Sequence, residues 1–548
     1  MIFLKTKPPK TLFSKIGLFI ALVSIAVFEL GYRSHTRMGH DFISYVLPAR
    51  AAQNGNGFAY SDYYINRPPT IFIFLENWGK IFGFELWSWV ALETILLCIV
   101  LSTTQTIFVK ILSEKLSLLV SILMTISILF SGIFSMFLPS ELIGISLLLF
   151  GLQVLAHNTE SLLRVTISFA LFALAAGIRE QLTLYVILSG FTVIILQPTL
   201  RRAAITLFGV VSGVIGTTTA NLVWLYRLGN TAEFFEVFKN QFENERHSIL
   251  NYPRWHLQTI SETHKLLLNS GVQKFFTPLL IILFLMIGLL IIKNFRAFKT
   301  QFLIFSSGFS LIGTVTWQSS GHRFHGHYAI ISLFGLVLCS VGMISIIEGL
   351  PLITRRISLQ KGLLAISLLL ITPSQDSIHS LLNSANNVRI SNLKDVFKSE
   401  RQLQTSEEKL TLKILSESPA NFKCTQSIYG WATGSFYFYT NSKPCTRFFI
   451  PNLVPLNRIS EYQTLILKNP PRIIRYGCLD TLTCSDLDVL SFEKRVFPYQ
   501  DVLKACYKRA MFEDSYLKSD VEGLYESLYA KRKEQSECIQ SIVEIQND

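Results

Sequence analysis

The sequence predicts a mostly α-helical, polytopic membrane protein that continues into a small α/β domain. Half of its 548 residues are apolar, only 16% are charged, and the mean hydropathy is +0.40. A soluble protein of 62.2 kDa could not bury so much apolar surface in its core. Charged residues become frequent only late in the chain, which separates a membrane region, 1–375, from a polar region, 376–548.

Apolar runs long enough to cross a bilayer as helices recur throughout the membrane region, and we expect about eleven spans. Arg179, Glu180 and Gln181 interrupt one long apolar stretch, which predicts a tight turn between two spans. The predicted spans lie near 16–32, 86–109, 116–137, 140–156, 165–178, 181–198, 203–226, 276–293, 301–318, 327–348 and 361–374.

The distribution of lysine and arginine predicts a cytoplasmic N-terminus, because short basic loops stay on the cytoplasmic side of a membrane. The segment before the first span contains Lys5, Lys7, Lys10 and Lys15, and every second later connection is also basic. No small-residue cleavage site follows the first span, so we expect it to be retained rather than removed as a signal peptide. With eleven spans, the polar region lies outside. We therefore expect a multi-pass protein of a bacterial inner membrane with a periplasmic C-terminal domain.

Cysteine usage agrees with an external polar region, since disulfides persist in oxidising compartments. Six of the eight cysteines fall in this region, and an even set allows disulfides with 15 connectivities. Sequence neighbours suggest the pairs Cys424 with Cys445, Cys478 with Cys484, and Cys506 with Cys538. The alternatives are free thiols in a cytosolic tail or a zinc site, although the paired CxxC spacing of zinc sites is lacking.

Five connections on the predicted outer side contain ionisable residues. Charged groups at a bilayer boundary are costly unless they are paired or line a wet cavity. We therefore expect a site between the spans that the outer loops cover. The connections are the loop 33–85, the turn 138–141, the turn 179–181, the loop 227–275 and the segment 319–327.

The loop 33–85 contains two candidate site residues. Asp41 is a candidate catalytic base, because a carboxylate near a partly dry cavity can accept the proton of an attacking hydroxyl. Its alternative role is to cap a helix that begins at Phe42. Arg67 is a candidate phosphate ligand, held in an extended segment by Pro68. Alternatively, Arg67 extends its charged end into the membrane interface.

The other candidates lie at span ends and in a late basic segment. Glu141 and Arg179 either contribute to the site or lie exposed at the interface. The segment from His322 to His327 contains three imidazoles and one guanidinium, which could bind phosphate or a divalent metal. We favour contact with phosphate or sugar through Arg323, because the spacing of His322, His325 and His327 is no established metal signature.

Aromatic residues on the outer side allow two readings. Phe234, Phe235, Phe238 and Phe242 recur at near-helical spacing, which predicts an amphipathic helix on the membrane surface within the loop 227–275. We expect this helix to pack on neighbouring spans. A second aromatic cluster could stack on a sugar, but an interfacial belt is the favoured reading. It consists of Phe58, Tyr60, Tyr63 and Tyr64.

The order of these features resembles the GT-C glycosyltransferases, in particular the group of protein O-mannosyltransferases, aminoarabinose transferases and rhizobial lipopolysaccharide transferases. The resemblance rests on an early Asp after the first span and on Arg-Pro-Pro leading into Phe74, Trp78, Phe82 and Gly83. An acidic turn before the fourth span and the late Arg/His/Tyr segment complete it. It covers the membrane region, and four stretches of the polar region resemble that group's strand, tyrosine helix and second-strand sequence. They are 427–431, 437–439, 444–449 and 469–474.

The resemblance implies an inverting enzyme that moves a hexosyl or pentosyl group on the outer face of the membrane. The donor would be a polyprenyl-phosphate sugar, and the acceptor a hydroxyl of a lipid, glycan or protein. Asp41 would act as base and Arg67 would hold the carrier phosphate. Arg179, Arg323 and the neighbouring histidines would stabilise the leaving phosphate. Glu141 would contact the acceptor or a metal.

The resemblance implies no cofactor other than an optional divalent metal ion. The family often has a second acidic residue directly after the first, whereas Phe42 follows Asp41 here, so metal dependence stays open. Alternative functions are a polysaccharide polymerase or ligase that uses polyprenyl-linked sugars, a secondary transporter and a non-catalytic scaffold. A transporter should carry ionisable residues near span centres. The net charge of +13 comes mainly from the basic loops, and no nucleic-acid-binding module is visible.

Overall fold

The computed structural model describes fifteen segments of the chain, and its elements are numbered here in chain order. The described residues are 12–33, 40–55, 57–65, 67–130, 140–244, 298–319, 328–348, 406–416, 424–429, 433–448, 458–468, 471, 473–478, 507–510 and 525–531. The helices of the membrane region are α1 (Leu12–Arg33), α2 (His40–Gln53), α3 (Pro69–Phe82), α4 (Leu86–Phe108), α5 (Glu114–Phe130), α6 (Ser140–His157), α7 (Leu162–Ile178), α8 (Thr183–Ile195), α9 (Leu200–Arg227), α10 (Thr231–Asn244), α11 (Lys299–Ser319) and α12 (Tyr328–Glu348).

Nine of the predicted spans coincide with helices of the structure, and the other two, 276–293 and 361–374, lie outside the described residues. Within the described part, three helices have both the length and the apolar composition to cross a membrane, namely α4, α6 and α9. The tight turn is confirmed: Arg179 is extended, and a single 3-10 turn, Glu180–Leu182, leads into α8.

The predicted outer loop 33–85 is largely helical, because α2 and α3 occupy most of it. Pro68 precedes α3 and Pro69 is its first residue, a position where proline suits a helix because its N–H is not needed. Gly83 ends α3 with a φ of 83°, a left-handed conformation that favours glycine. The amphipathic helix predicted in the loop 227–275 is also present as α10.

Glycines allow several helices of the membrane region to approach closely. A Cβ atom at Gly213 of α9 would lie 2.5 Å from the carbonyl oxygen of Thr166 in α7. A Cβ atom at Gly308 of α11 would lie 2.5 Å from the carbonyl oxygen of Gly335 in α12. Small residues at such contacts let helix backbones pack tightly, which is a common device between membrane helices.

The polar region contains helices and a five-stranded sheet. The sheet order is β2-β1-β3-β5-β4, and β1 is parallel to both neighbours whereas β5 is antiparallel to β3 and β4. Cys424 and Cys445 form a disulfide, which confirms the first predicted pair. The elements are α13 (Ser406–Ser416), β1 (Cys424–Tyr429), α14 (Thr433–Thr440), β2 (Lys443–Pro444), α15 (Ile459–Lys468), β3 (Ile473–Cys478), β4 (Tyr507–Ala510) and β5 (Tyr525–Lys531).

The polar region packs directly on the helices and loop that follow α1. Helix α14 contacts α2, where the Arg50 guanidinium lies 4.7 Å from the centre of the Phe438 ring. The Tyr64 N–H donates a hydrogen bond of 2.7 Å to the Arg447 carbonyl oxygen. Arg458, at the start of α15, forms an ion pair with Glu236 of α10. These contacts place the polar region against α2, the loop 57–65 and α10, which belong to the predicted outer connections.

Candidate functional site

The segment 57–65, between α2 and α3, is a buried loop fixed by hydrogen bonds to its own backbone. Phe58 N–H donates to Asp62 Oδ2 at 2.9 Å, and Asn230 Nδ2 donates to the Ala59 carbonyl oxygen at 2.9 Å. The side chains of Tyr60, Tyr63 and Tyr64 are buried against the rest of the chain. The favoured reading of these tyrosines as an interfacial belt is therefore wrong.

Tyr60 connects this loop to Arg67. Its hydroxyl donates a 2.6 Å hydrogen bond to the Arg67 carbonyl oxygen, and its ring packs edge-on against Phe72 and Phe234. Burial raises the pKa of Tyr60 well above its ordinary value, so the hydroxyl remains a hydrogen-bond donor. The backbone at Tyr60 has a φ of 73°, an uncommon conformation for a residue other than glycine.

Arg67 is held by side chains from two other elements. Its Nη1 lies 2.9 Å from Glu180 Oε1, and its Nε donates a 3.1 Å hydrogen bond to the Tyr45 hydroxyl of α2. Pro68 disfavours a helical backbone at the residue before it. Arg67 therefore lies outside α3, just before the helix begins. Arg67 is 19% exposed, which fits a charged group at the edge of a cavity better than one extended into the interface.

Arg179 and Glu141 form a second, nearly buried ion pair, with side-chain exposures of 1% and 3%. Glu141 lies in the first turn of α6, where the helix dipole favours a negative charge. Such burial excludes the alternative that both residues are simply exposed to water at the interface. Because Arg179 and Glu180 are consecutive, the two ion pairs form one cluster of two guanidinium groups and two carboxylates.

An apolar cavity of about 700 Å³ lies beside this cluster. Its walls come from α3, α7, α8, α9 and α10, and it reaches Pro68, Pro69 and the Glu180 side chain. Several lining side chains are half exposed, among them Phe191 at 62% and Phe235 at 55%. The cavity therefore opens on an apolar surface and also reaches one member of the charged cluster, Glu180.

The sequence indicated only part of this arrangement. Of the predicted site residues, the structure brings Arg67, Glu141 and Arg179 together, and it adds Tyr45 and Glu180. The sequence predicts only a turn at Glu180. Its pairing with Arg67, far away in the sequence, is set by the packing of α3 against α7. No local pattern marks the cavity either, because its lining residues are ordinary apolar residues of several helices.

The other predicted residues lie outside the described part of the chain, or only their backbone is described. Position 41 falls in the first turn of α2, which begins at His40, and the Asp41 side chain is outside the described part. The segment with His322, Arg323, His325 and His327 is outside it as well, as are Cys484, Cys506 and Cys538. Among the residues that the structure describes, no group of three or more His, Cys, Asp and Glu side chains could hold a metal ion.

A buried ionic cluster that the sequence did not indicate joins the end of α1 to α4. Arg33 Nε lies 2.9 Å from Glu29 Oε1, and Arg33 Nη2 lies 3.0 Å from Glu93 Oε1. All three side chains are fully buried. Buried ionic groups of this kind are expensive and persist only when they are paired. This cluster fixes the chain just before the segment that leads to position 41.

Comparison with known proteins identifies the class of fold. No family model matches the sequence, and no curated protein matches it. The chain is similar to ArnT from Cupriavidus metallidurans bound to undecaprenyl phosphate, with a TM-score of 0.50 and 11% identity over 95% of this chain and 98% of that chain. At 11% identity this similarity shows the fold alone, and at that level the predicted resemblance is confirmed.

Two further similarities are to an archaeal enzyme. The oligosaccharyltransferase AglB from Archaeoglobus fulgidus, in complex with an inhibitory peptide and a dolichol-phosphate, gives a TM-score of 0.44 at 11% identity, over 95% of this chain and 75% of that chain. The oligosaccharyltransferase of the same organism in complex with Zn and sulfate gives a TM-score of 0.43 at 10% identity, over 93% of this chain and 73% of that chain.

Proposed function

We propose that this protein is a membrane glycosyltransferase that moves a sugar from a polyprenyl-phosphate carrier to an acceptor hydroxyl of a lipid, glycan or protein. The observation that carries this proposal is the apolar cavity that reaches Glu180, the partner of Arg67 in a cluster that also contains the pair Arg179–Glu141. An apolar cavity suits an isoprenoid chain, and the guanidinium group of Arg67, next to Glu180, suits a phosphate. The same fold in ArnT was solved with undecaprenyl phosphate bound.

In the proposed reaction, Arg67 and Arg179 hold the phosphate as it leaves the sugar. Negative charge develops on the phosphate oxygen when the glycosidic bond breaks, and cations positioned beforehand lower the energy of that state. Glu141 and Tyr45 keep the two guanidinium groups in place. Arg323, with the neighbouring histidines His322, His325 and His327, is proposed to contact the same phosphate. The described carboxylate Glu141 is already paired with Arg179, so no step is assigned to a metal ion.

Asp41 is proposed as the base. The acceptor oxygen attacks the anomeric carbon on the face opposite the phosphate while the carbon–oxygen bond to phosphate breaks, and this displacement inverts the configuration of the sugar. Asp41 accepts the proton that the acceptor hydroxyl loses. Asp41 lies four residues before Tyr45 in α2, so positions 41 and 45 share one face of the helix. The Tyr45 hydroxyl accepts a hydrogen bond from Arg67. This contact supports a position for Asp41 near Arg67.

The proposed setting is a bacterial inner membrane with eleven spans, a cytoplasmic N-terminus and a periplasmic α/β domain, 376–548. This orientation puts Arg67 and the polar region on one side of the membrane. The polar region would present or select the acceptor, since its α14 and segment 443–448 cover α2 and the loop 57–65. The pairs Cys478 with Cys484 and Cys506 with Cys538 are proposed as further disulfides.

The test is transfer from labelled polyprenyl-phosphate sugars in membranes that contain Asp41→Asn, Arg67→Ala or the control Glu85→Gln. We expect Asp41→Asn to bind the carrier but to lose about 10²- to 10⁴-fold in transfer rate, as removal of a general base does. Arg67→Ala should weaken carrier binding. Glu85 is exposed and makes no capping hydrogen bond, so Glu85→Gln removes a carboxylate without touching the cluster. Unchanged turnover in Asp41→Asn would rule out the proposed role of Asp41.

A further inference from the structure

Glu180 has two properties that a simple structural partner of Arg67 does not need. It lines the apolar cavity together with Pro68 and Pro69. Both of its hydrogen bonds from described residues converge on Oε1, at 2.9 Å from Arg67 Nη1 and 2.7 Å from Gln181 Nε2. Its second oxygen, Oε2, is buried and accepts no hydrogen bond from the part of the chain that the structure describes. The contact with Arg67 therefore uses only one of the two carboxylate oxygens.

Among the described residues, the two ion pairs combine two positive charges, from Arg67 and Arg179, with two negative charges, from Glu141 and Glu180. A phosphate that binds Arg67 adds negative charge beside Glu180 in a partly buried setting, where like charges repel strongly. The Glu141 carboxylate is enclosed with Arg179, whereas Glu180 is 19% exposed and borders the cavity. Of these two carboxylates, Glu180 is thus the one that a phosphate would meet.

We propose that Glu180 is an internal competitor of the carrier phosphate for Arg67. Binding of the phosphate displaces the Glu180 carboxylate from the Arg67 guanidinium, and departure of the phosphate restores the ion pair. Gln181 keeps its hydrogen bond to Glu180 in either arrangement, because it belongs to the same turn. Glu180 thereby limits the affinity for the phosphate-bearing carrier and favours its release after transfer. This inference rests on the proposed function.

The experiment measures equilibrium binding of farnesyl phosphate and of farnesol to the purified full-length protein in detergent. Glu180→Gln keeps the size of the side chain and one oxygen that can accept the hydrogen bonds now made by Oε1, but it removes the charge. We expect this variant to bind farnesyl phosphate about tenfold more tightly than the wild type, with farnesol binding unchanged. Arg67→Ala should abolish the preference for farnesyl phosphate over farnesol. Glu236→Gln is the matched control, because Glu236 also pairs with an arginine but lies outside the cavity lining.

The outcomes separate this inference from the proposed function. If Glu180→Gln binds farnesyl phosphate equally or more weakly while farnesol binding is unchanged, Glu180 orients Arg67 rather than competing for it, and the inference is overturned. If the wild type does not prefer farnesyl phosphate to farnesol, the phosphate site itself is wrong and the proposed function fails. Unchanged farnesol binding also shows that the variant is folded, because the cavity that receives the apolar chain is intact.

Discussion

Tyr60 is the residue on which the geometry around Arg67 depends most. Its left-handed backbone conformation is unfavourable for a side chain of this size, and such residues persist only where their surroundings hold them. Here the hydroxyl donates a hydrogen bond to the Arg67 carbonyl oxygen, and the ring packs against Phe72 and Phe234. Phe234 also lines the cavity. Tyr60 thus connects the backbone of Arg67 to the wall of the proposed carrier site.

Tyr60→Phe should separate the hydrogen bond from the packing. The ring remains, but the Arg67 carbonyl oxygen loses a buried donor, which costs about 1 to 3 kcal/mol when the acceptor stays buried. We expect a lower midpoint of thermal unfolding in detergent and severalfold weaker binding of farnesyl phosphate. Tyr226→Phe is the control, since Tyr226 is 80% exposed. Equal behaviour of the two variants would show that the Tyr60 hydroxyl does not position Arg67.

At the scale of elements, the contact between α3 and α7 determines where the cavity meets the charged cluster. Gly177 of α7 lies directly against Thr70 of α3, so that a Cβ atom there would come within 2.1 Å of Thr70 Oγ1. Thr70 is tied in turn to Asn221 of α9 by a 3.0 Å hydrogen bond. Three helices therefore meet beside Pro68 and Pro69, and the absence of a side chain at Gly177 allows the meeting.

Gly177→Ala is expected to push α3 away from α7. Overpacking of this kind costs about 1 to 3 kcal/mol, and the shift should also move Arg67, which directly precedes Pro68 and α3. Thermal unfolding and farnesyl phosphate binding measure the two effects. Gly216→Ala in α9 is the matched control, because an added Cβ atom there has no neighbour within 4 Å. The predicted role of this contact would be refuted if Gly177→Ala matched Gly216→Ala in both measurements.

The elements also show what the sequence could and could not predict. Long apolar runs predicted nine helices of the structure, because a membrane requires such runs and no local detail alters them. A helix beginning at Phe42 is the alternative that the sequence offers for Asp41, but the Gly and Asn residues of the loop 33–85 do not indicate that α2 and α3 occupy most of it. The partner of Arg67 could not be predicted, because pairing across α3 and α7 depends on tertiary packing. The same holds for the cluster of Glu29, Arg33 and Glu93.

At the scale of the whole molecule, a disulfide in the polar region lies close to the loop that positions Arg67. Cys445 is bonded to Cys424 and is two residues from Arg447. Arg447 accepts the Tyr64 N–H at its carbonyl oxygen, and the Phe448 ring lies 5.1 Å from the Tyr64 ring. Tyr64 and Tyr60 belong to the same loop, so the disulfide supports one wall of the site from outside the membrane region.

Cys445→Ser should therefore affect the site as well as the polar region. The disulfide closes a loop with a sequence separation of 21 residues, for which chain entropy gives about 3 kcal/mol of stabilisation. Without it, the contact of Arg447 with Tyr64 should loosen, and both thermal stability and sugar transfer should fall. Cys98→Ser is the control, because Cys98 is a free thiol in α4.

The same pair of cysteines tests the proposed orientation. In cells, the wild type should give a disulfide-linked peptide pair containing Cys424 and Cys445 after thiols are blocked before lysis, because a periplasmic position allows the bond to form and persist. Cys445→Ser should leave Cys424 open to a membrane-impermeant maleimide added to spheroplasts, since that reagent reaches only the outer face. Labelling of Cys424 only after the membrane is permeabilised would place the polar region inside. A polar region on the cytoplasmic side would lie across the membrane from the proposed reaction, and this result would contradict the proposed topology.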